Sequence, residues 1–306
     1  MHPMIVKQPN RALMLFTLRG SVLPVILPKV SLIMAISTAL AIVLHAHPRA
    51  YPEFSSVPFT LFGLALSIFL GFRNNACYDR WWEGRKLWGA VVIEMRTLAR
   101  DVIALLPTAH PGRTHVLNRC IAYAYLLKAR LRDEEGLDET RRYLSAQEHT
   151  TLLPMRNRPE AILRSIMEDV AEWGRQGLLS DITMMTLETR LHAIGAAQGG
   201  CERIVSTSTP FAYTLLLHRT AWIFCLLLPF GFVSTLGFAT PLLTGVLAYT
   251  FFGLDALSDE LEQPFGLHQN DLPLNAIVRG IEIDLLEALG IEELPESLAP
   301  INGVLT

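Results

Sequence analysis

The chain has 306 residues, 51% of them hydrophobic and 18% charged, with a net charge of -3 and a mean hydropathy of +0.32. This is too apolar for an ordinary soluble globule and too charged for spans alone, so a membrane part and a soluble part are expected in one chain. The balance argues against a nucleic-acid binder, which carries a basic surplus, and the scattered Cys77, Cys120, Cys201 and Cys225 form neither a zinc motif nor a disulfide framework.

The first thirty residues carry Lys7, Arg11, Arg19 and Lys29 and no acid. With no small-residue cleavage site and an apolar stretch that outruns a signal peptide, they introduce an uncleaved first span. Residues 30–48 and 54–72 are each nineteen residues without Lys, Arg, Asp or Glu. As helix each is roughly 28 Å long, about the thickness of a bilayer core. The connection between them holds Arg49 alone, whereas Arg73, Arg80, Arg85 and Lys86 follow the second window. This bias puts both termini and the middle region in the cytoplasm, as a multi-pass protein of the cell membrane.

In the second window, Gly63, Ser67 and Gly71 repeat at the small-residue spacing that lets helix backbones pack closely. Leu64, Ile68 and Phe72 form a bulky stripe about 100° round the helix. From the residues alone that stripe reads as packing or as the lining of a pore. "RNNACYDRWW" then carries the same helix into a polar setting, with Trp81 and Trp82 suited to an aromatic belt.

The next 130 or so residues have helical periodicity and no convincing strand. One broad face runs through Leu87, Val91, Met95, Leu98 and Ile103. The third charge-free window, 220–254, is too long for one helix, and Pro229, Gly231, Gly237 and Pro241 near its middle predict a helical hairpin whose first arm starts inside "PFAYTLLLHR". A last amphipathic helix, "NAIVRGIEIDLLEALG", stops at Gly290. The expected organisation is therefore all-α: residues 1–78 with spans one and two, 79–207 as cytoplasmic helices, 208–257 with spans three and four, and 258–306 as a cytoplasmic C-terminal segment.

"FLGFRNNACYDRWWEGRKLWG", "CERI" at 201–204, "PFAYTLLLHR" at 210–219 and "ELEQPFGLHQNDLPL" at 260–274 resemble, in order and over nearly the whole chain, the bestrophin family in its bacterial branch. The resemblance implies a homopentameric ion channel in membrane lipid, with four transmembrane helices per subunit around one central pore. It implies a hydrophobic neck of Leu64, Ile68 and Phe72 and a cytoplasmic aperture at Ile182. Asp181, beside that aperture, reads either as a selectivity ring or as the N-cap of the following helix, with Ser180 competing for the cap. Bacterial members are associated with monovalent cations, so conduction of Na+ or K+ in preference to Cl- is expected, with an anion channel of the same architecture as the alternative. Where animal members bind calcium through a run of acids, this chain has Leu267, His268, Gln269, Asn270 and Asp271, a poor oxygen set, so no activation by calcium is expected. Asp255, Asp259, Glu260 and Glu262 upstream read as a solvated acidic face.

No metal or other cofactor and no nucleic-acid partner is expected. No H-E-x-x-H, G-x-S-x-G or P-loop motif argues for an enzyme. An accessory membrane protein or a secondary transporter remains a reading of another class.

Overall fold

The computed structural model describes residues 18, 20–47, 55, 57–301 and 304–305. Lys7, Arg11, Arg19 and Arg49, on which the charge bias partly rests, lie outside the described residues. The chain is helical throughout, and among the described residues the β-pairing amounts to an isolated bridge between Ile301 and Val304. Contacts divide it into two units. Of the described residues, the first holds those up to Trp81 together with Ser208–Pro264; the second gathers Trp82–Thr207 and those from Phe265 onward.

In the first unit α1 (Leu23–Ala46), the opening half of α2 (Val57–Leu105), α8 (Phe211–Leu236) and α9 (Thr240–Glu262) pack together. Proline in its first turn suits α1, where the lost N–H has no helical partner in any case. Its buried stripe, Ile26, Val30, Ile33, Ser37 and Ala41, turns inward at helical spacing. The core joins Ile26 and Ile33 to Leu66 and Leu70 of α2, Phe224 and Leu228 of α8, and Phe251 and Phe252 of α9. Ser37 Oγ and Thr244 Oγ1, 2.7 Å apart and buried, add a hydrogen bond between α1 and α9. Bonds of this kind between apolar helices contribute about 0.6 kcal/mol. The predicted hairpin breaks at Gly237, where a short 3-10 turn, Gly237–Ala239, links α8 to α9. Pro229 and Gly231 lie inside α8.

In the second unit the later part of α2 joins α3 (Gly112–Leu131), α4 (Leu137–Thr140), α5 (Ala146–Leu152), α6 (Arg158–Arg175), α7 (Asp181–Ser206) and α10 (Leu274–Ala288). Val91, Met95 and Leu98 of the predicted α2 face are buried, while Leu87 and Ile103 are half-buried. Helix α3 is buried on almost every side from Cys120 to Ala129, packed by α6, α7 and α10. Its Lys128 is buried as well, its ammonium 2.8 Å from Glu139 and over the Tyr125 ring. Glu282 of α10 is fully buried and accepts from the Tyr125 hydroxyl at 2.6 Å and from the Tyr143 hydroxyl, with Arg142 at 2.6 Å and Arg279 at 3.1 Å. A carboxylate is tolerable there only because those donors replace its water. Gly290, at φ +76°, ends the last helix as expected.

Candidate functional site

Helix α2 runs unbroken for 49 residues, from the apolar window through "RNNACYDRWW" and on to Leu105. Its first half carries two contrasting faces. Leu66, Leu70, Arg73 and Cys77 are buried against the other helices of the first unit. Leu64, Ile68 and Phe72, each about 200° from a buried neighbour, are 61%, 50% and 61% exposed. The small residues behave unequally. At Gly63 a Cβ would lie 2.9 Å from the Phe224 ring, so this glycine lets α8 approach. Gly71 has nothing within 4 Å of an added Cβ, and Ser67 is exposed with its hydroxyl bonded to the Gly63 carbonyl at 2.8 Å.

The residue after Phe72 anchors the helix. Arg73 is fully buried, with Nη1 2.7 Å from Asp255 Oδ1, Nη2 2.5 Å from Asp259 Oδ1 and 3.8 Å from Glu262 Oε2. The other oxygen of Asp255 meets His218 Nδ1 of α8 at 2.7 Å. Thr209 holds the other oxygen of Glu262 through its backbone N–H at 2.9 Å and its hydroxyl at 2.7 Å. Asn74 donates to the Leu254 carbonyl at 3.0 Å, and Arg80 Nε to the Glu262 carbonyl at 2.6 Å. The upstream acids are thus only partly the solvated face expected: Asp259 is 60% exposed, but Asp255 is 1% exposed. Taking Asp255 and most of Glu262 out of water requires a cation beside them, and Arg73 supplies it, with Asp259 adding a third carboxylate from the exposed side. Sequence reading missed this cluster by counting Arg73 only as one of the basic residues after a span. The signal was there, because 255, 259 and 262 fall on one face of a helix.

In the second unit Ser180 takes the N-cap of α7, accepting from the Thr183 N–H at 3.3 Å. Asp181 is then the first helical residue, exposed and near the helix N-terminus, where a negative charge is favoured. Ile182 is 73% exposed and Met185, one turn on, 61%. Of the residues after "PFG", Asp271 is buried and accepts from the His268 N–H at 2.7 Å, closing a local turn.

Three stretches, Leu23–Ala46, Val57–Leu105 and Phe211–Glu262, are long and apolar enough to cross a membrane, the last being divided at Gly237. A helical bundle with a bare bulky stripe beside a buried arginine and with long apolar helices defines the chain as an all-α protein suited to a membrane. The family described as bacterial and fungal bestrophin protein matches residues 4–287. The chain belongs to the bestrophin family. It is similar to the voltage-dependent anion channel-forming protein of Mesorhizobium japonicum, 44% identical over 97% of this chain and 95% of the other. It is likewise similar to that named YneE in Escherichia coli K12, 41% identical over 94% of each. Among solved structures, a bacterial bestrophin homologue from Klebsiella pneumoniae superposes with a TM-score of 0.84 at 37% identity, covering 88% of this chain and 100% of that one. The names of the relatives say anion and give no support to the expected preference for Na+ or K+.

Proposed function

We propose that the chain is the subunit of an ion channel in the plasma membrane, five copies surrounding one pore. Its four spans are α1, the first half of α2, α8 and α9, and both termini and the 79–207 and 258–306 segments are cytoplasmic. The neck is made by Leu64, Ile68 and Phe72, and the aperture by Ile182. The observation that carries this reading is the division of α2: one face is buried and ion-paired, while the opposite face leaves three bulky apolar side chains bare at single-turn intervals. Fivefold, those side chains make apolar rings that offer an ion nothing in place of its hydration, and such a constriction gates by dewetting and widening.

An apolar neck does little to select by charge, and the names of the relatives favour anions; we adopt anion conduction. The exposed Asp181 supports a second reading, because a ring of carboxylates at a mouth concentrates cations. Purified protein in bilayers under a salt gradient separates the two. A reversal potential near that of chloride supports anion conduction, one near that of the cation replaces it, and absence of flux defeats both. Ile68→Ala, which narrows the middle side chain by three carbons, should raise single-channel conductance or open probability severalfold; wild-type behaviour would remove Ile68 from the neck.

A further inference from the structure

The cluster around Arg73 is more elaborate than a helix contact requires. The guanidinium stands directly after Phe72 and is fully enclosed, so the orientation of that turn of α2 depends on what holds it. Two of the holding groups are carboxylates of α9 at 2.7 and 2.5 Å. One of these, Asp255, is shared: Oδ1 serves Arg73 and Oδ2 serves His218, whose side chain is 40% exposed while Asp255 is shut away. His218 thus joins the surface of the chain to a carboxylate that is itself enclosed.

We propose that Arg73 is the positioning residue of Phe72 and that His218, through Asp255, makes its hold depend on proton concentration. This rests on the channel reading above. With neutral His218, the Nδ1–H donates to Asp255 and the cluster of Arg73, Arg80, Asp255, Asp259 and Glu262 carries one net negative charge. Protonation neutralises the cluster and puts a second cation on the far side of the same carboxylate. The two cations repel across it, so Asp255 remains attached to His218 while its hold on Arg73 weakens. Histidine is the side chain that ordinarily changes charge between pH 5 and 8.

The other charged or titratable groups among the described residues of these elements do not replace His218 in this role. Those nearest to Arg73 and His218 along the chain include Cys77 and Arg80 on α2, Asp259, Glu260 and Glu262 on α9, and Arg219 on α8. On α1, Lys29 has its ammonium 5.7 Å from the Phe252 ring centre. Asp255 gives Oδ1 to Arg73 and Oδ2 to His218, so His218 is the group that links the surface of the chain to this carboxylate.

The test is ion flux through the purified full chain in liposomes with equal pH on both sides, stepped from about 8 to about 5.5 across the range of histidine titration. Wild type should conduct more at the lower pH, by about threefold or more, as the clamp loosens. His218→Gln keeps a hydrogen-bond donor without the titrating charge and should flatten the profile. Arg73→Lys, which preserves the cation, should retain a pH response, and Arg73→Met should lose it. A size-exclusion profile like that of wild type identifies the variants that are folded. A flat wild-type profile, a fall in flux at low pH, or a wild-type profile in His218→Gln overturns the inference while leaving the channel reading intact. No flux from wild type at either pH overturns the channel reading and this inference with it.

Discussion

Glu148 exemplifies how single side chains organise the second unit. It is the N3 residue of α5, where the Ser145 N–H reaches its Oε2 at 2.9 Å and the Ser145 hydroxyl accepts from the Glu148 N–H at 3.3 Å, a complete capping box. Burial pushes its carboxyl up, but bonds from Ser145, Arg119 and His115 outweigh that and hold it at about 2. Because the folded value is depressed, the stabilisation is fully present above the ordinary carboxylate range and is lost as pH falls from about 4.5 towards 2. Glu148→Gln should therefore destabilise the protein by roughly 1–2 kcal/mol at neutral pH. In thermal unfolding the gap between variant and wild type should close on acidification; a gap that stays constant down to pH 2.5 or so would mean that the ion pairs contribute nothing beyond the cap. At this scale the sequence was only partly legible. The Leu64–Ile68–Phe72 stripe follows from spacing, but its exposure and the choice of Ser180 over Asp181 as the cap, both left open by the sequence, come from the structure. The Arg73 cluster and the Glu282 cluster join residues 182 and 157 positions apart, and no local pattern specifies which distant charge will be the partner.

Among elements, α2 and the α8–α9 hairpin were the most legible because long uninterrupted periodicity and clustered breakers are strong local signals. Helix α3 was less so. Helical periodicity alone does not show that it lies at the centre of its unit, where Glu139 and the Tyr125 ring accommodate the Lys128 ammonium and Glu202 binds Arg130 at 2.7 Å. The hairpin link depends on one backbone position. Gly237 has φ +52° and ψ -125°, a conformation closed to ordinary L-residues, and nothing lies within 4 Å of an added Cβ. The cost of Gly237→Ala is thus purely conformational, about 1–3 kcal/mol. It should appear as a lower thermal midpoint in detergent with the helical circular-dichroism signal preserved; a midpoint equal to that of wild type would mean that the link relaxes to another turn.

For the molecule as a whole, one chain does not complete its own packing. Within the first unit Phe224 packs against Gly63, but of the same small-residue stripe Ser67 is exposed and, among the described residues, nothing lies within 4 Å of a Cβ added at Gly71. The adjoining bulky stripe is bare as well. In the proposed assembly neighbouring copies would cover both faces, the first admitting another backbone and the second turning towards the shared axis. The decisive test falls at Gly71, where an added Cβ has nothing within 4 Å among the described residues. Gly71→Leu should leave the helical content and the Arg73 cluster of each subunit unchanged while splitting the assembly. Wild-type particles in electron micrographs are expected to have fivefold symmetry, and the variant to elute from size exclusion as a smaller species. If Gly71→Leu keeps the wild-type size and symmetry, this face is not where subunits meet, and if wild-type particles have another symmetry, the five-copy pore is wrong even though the neck stripe could still line a pore of a different order.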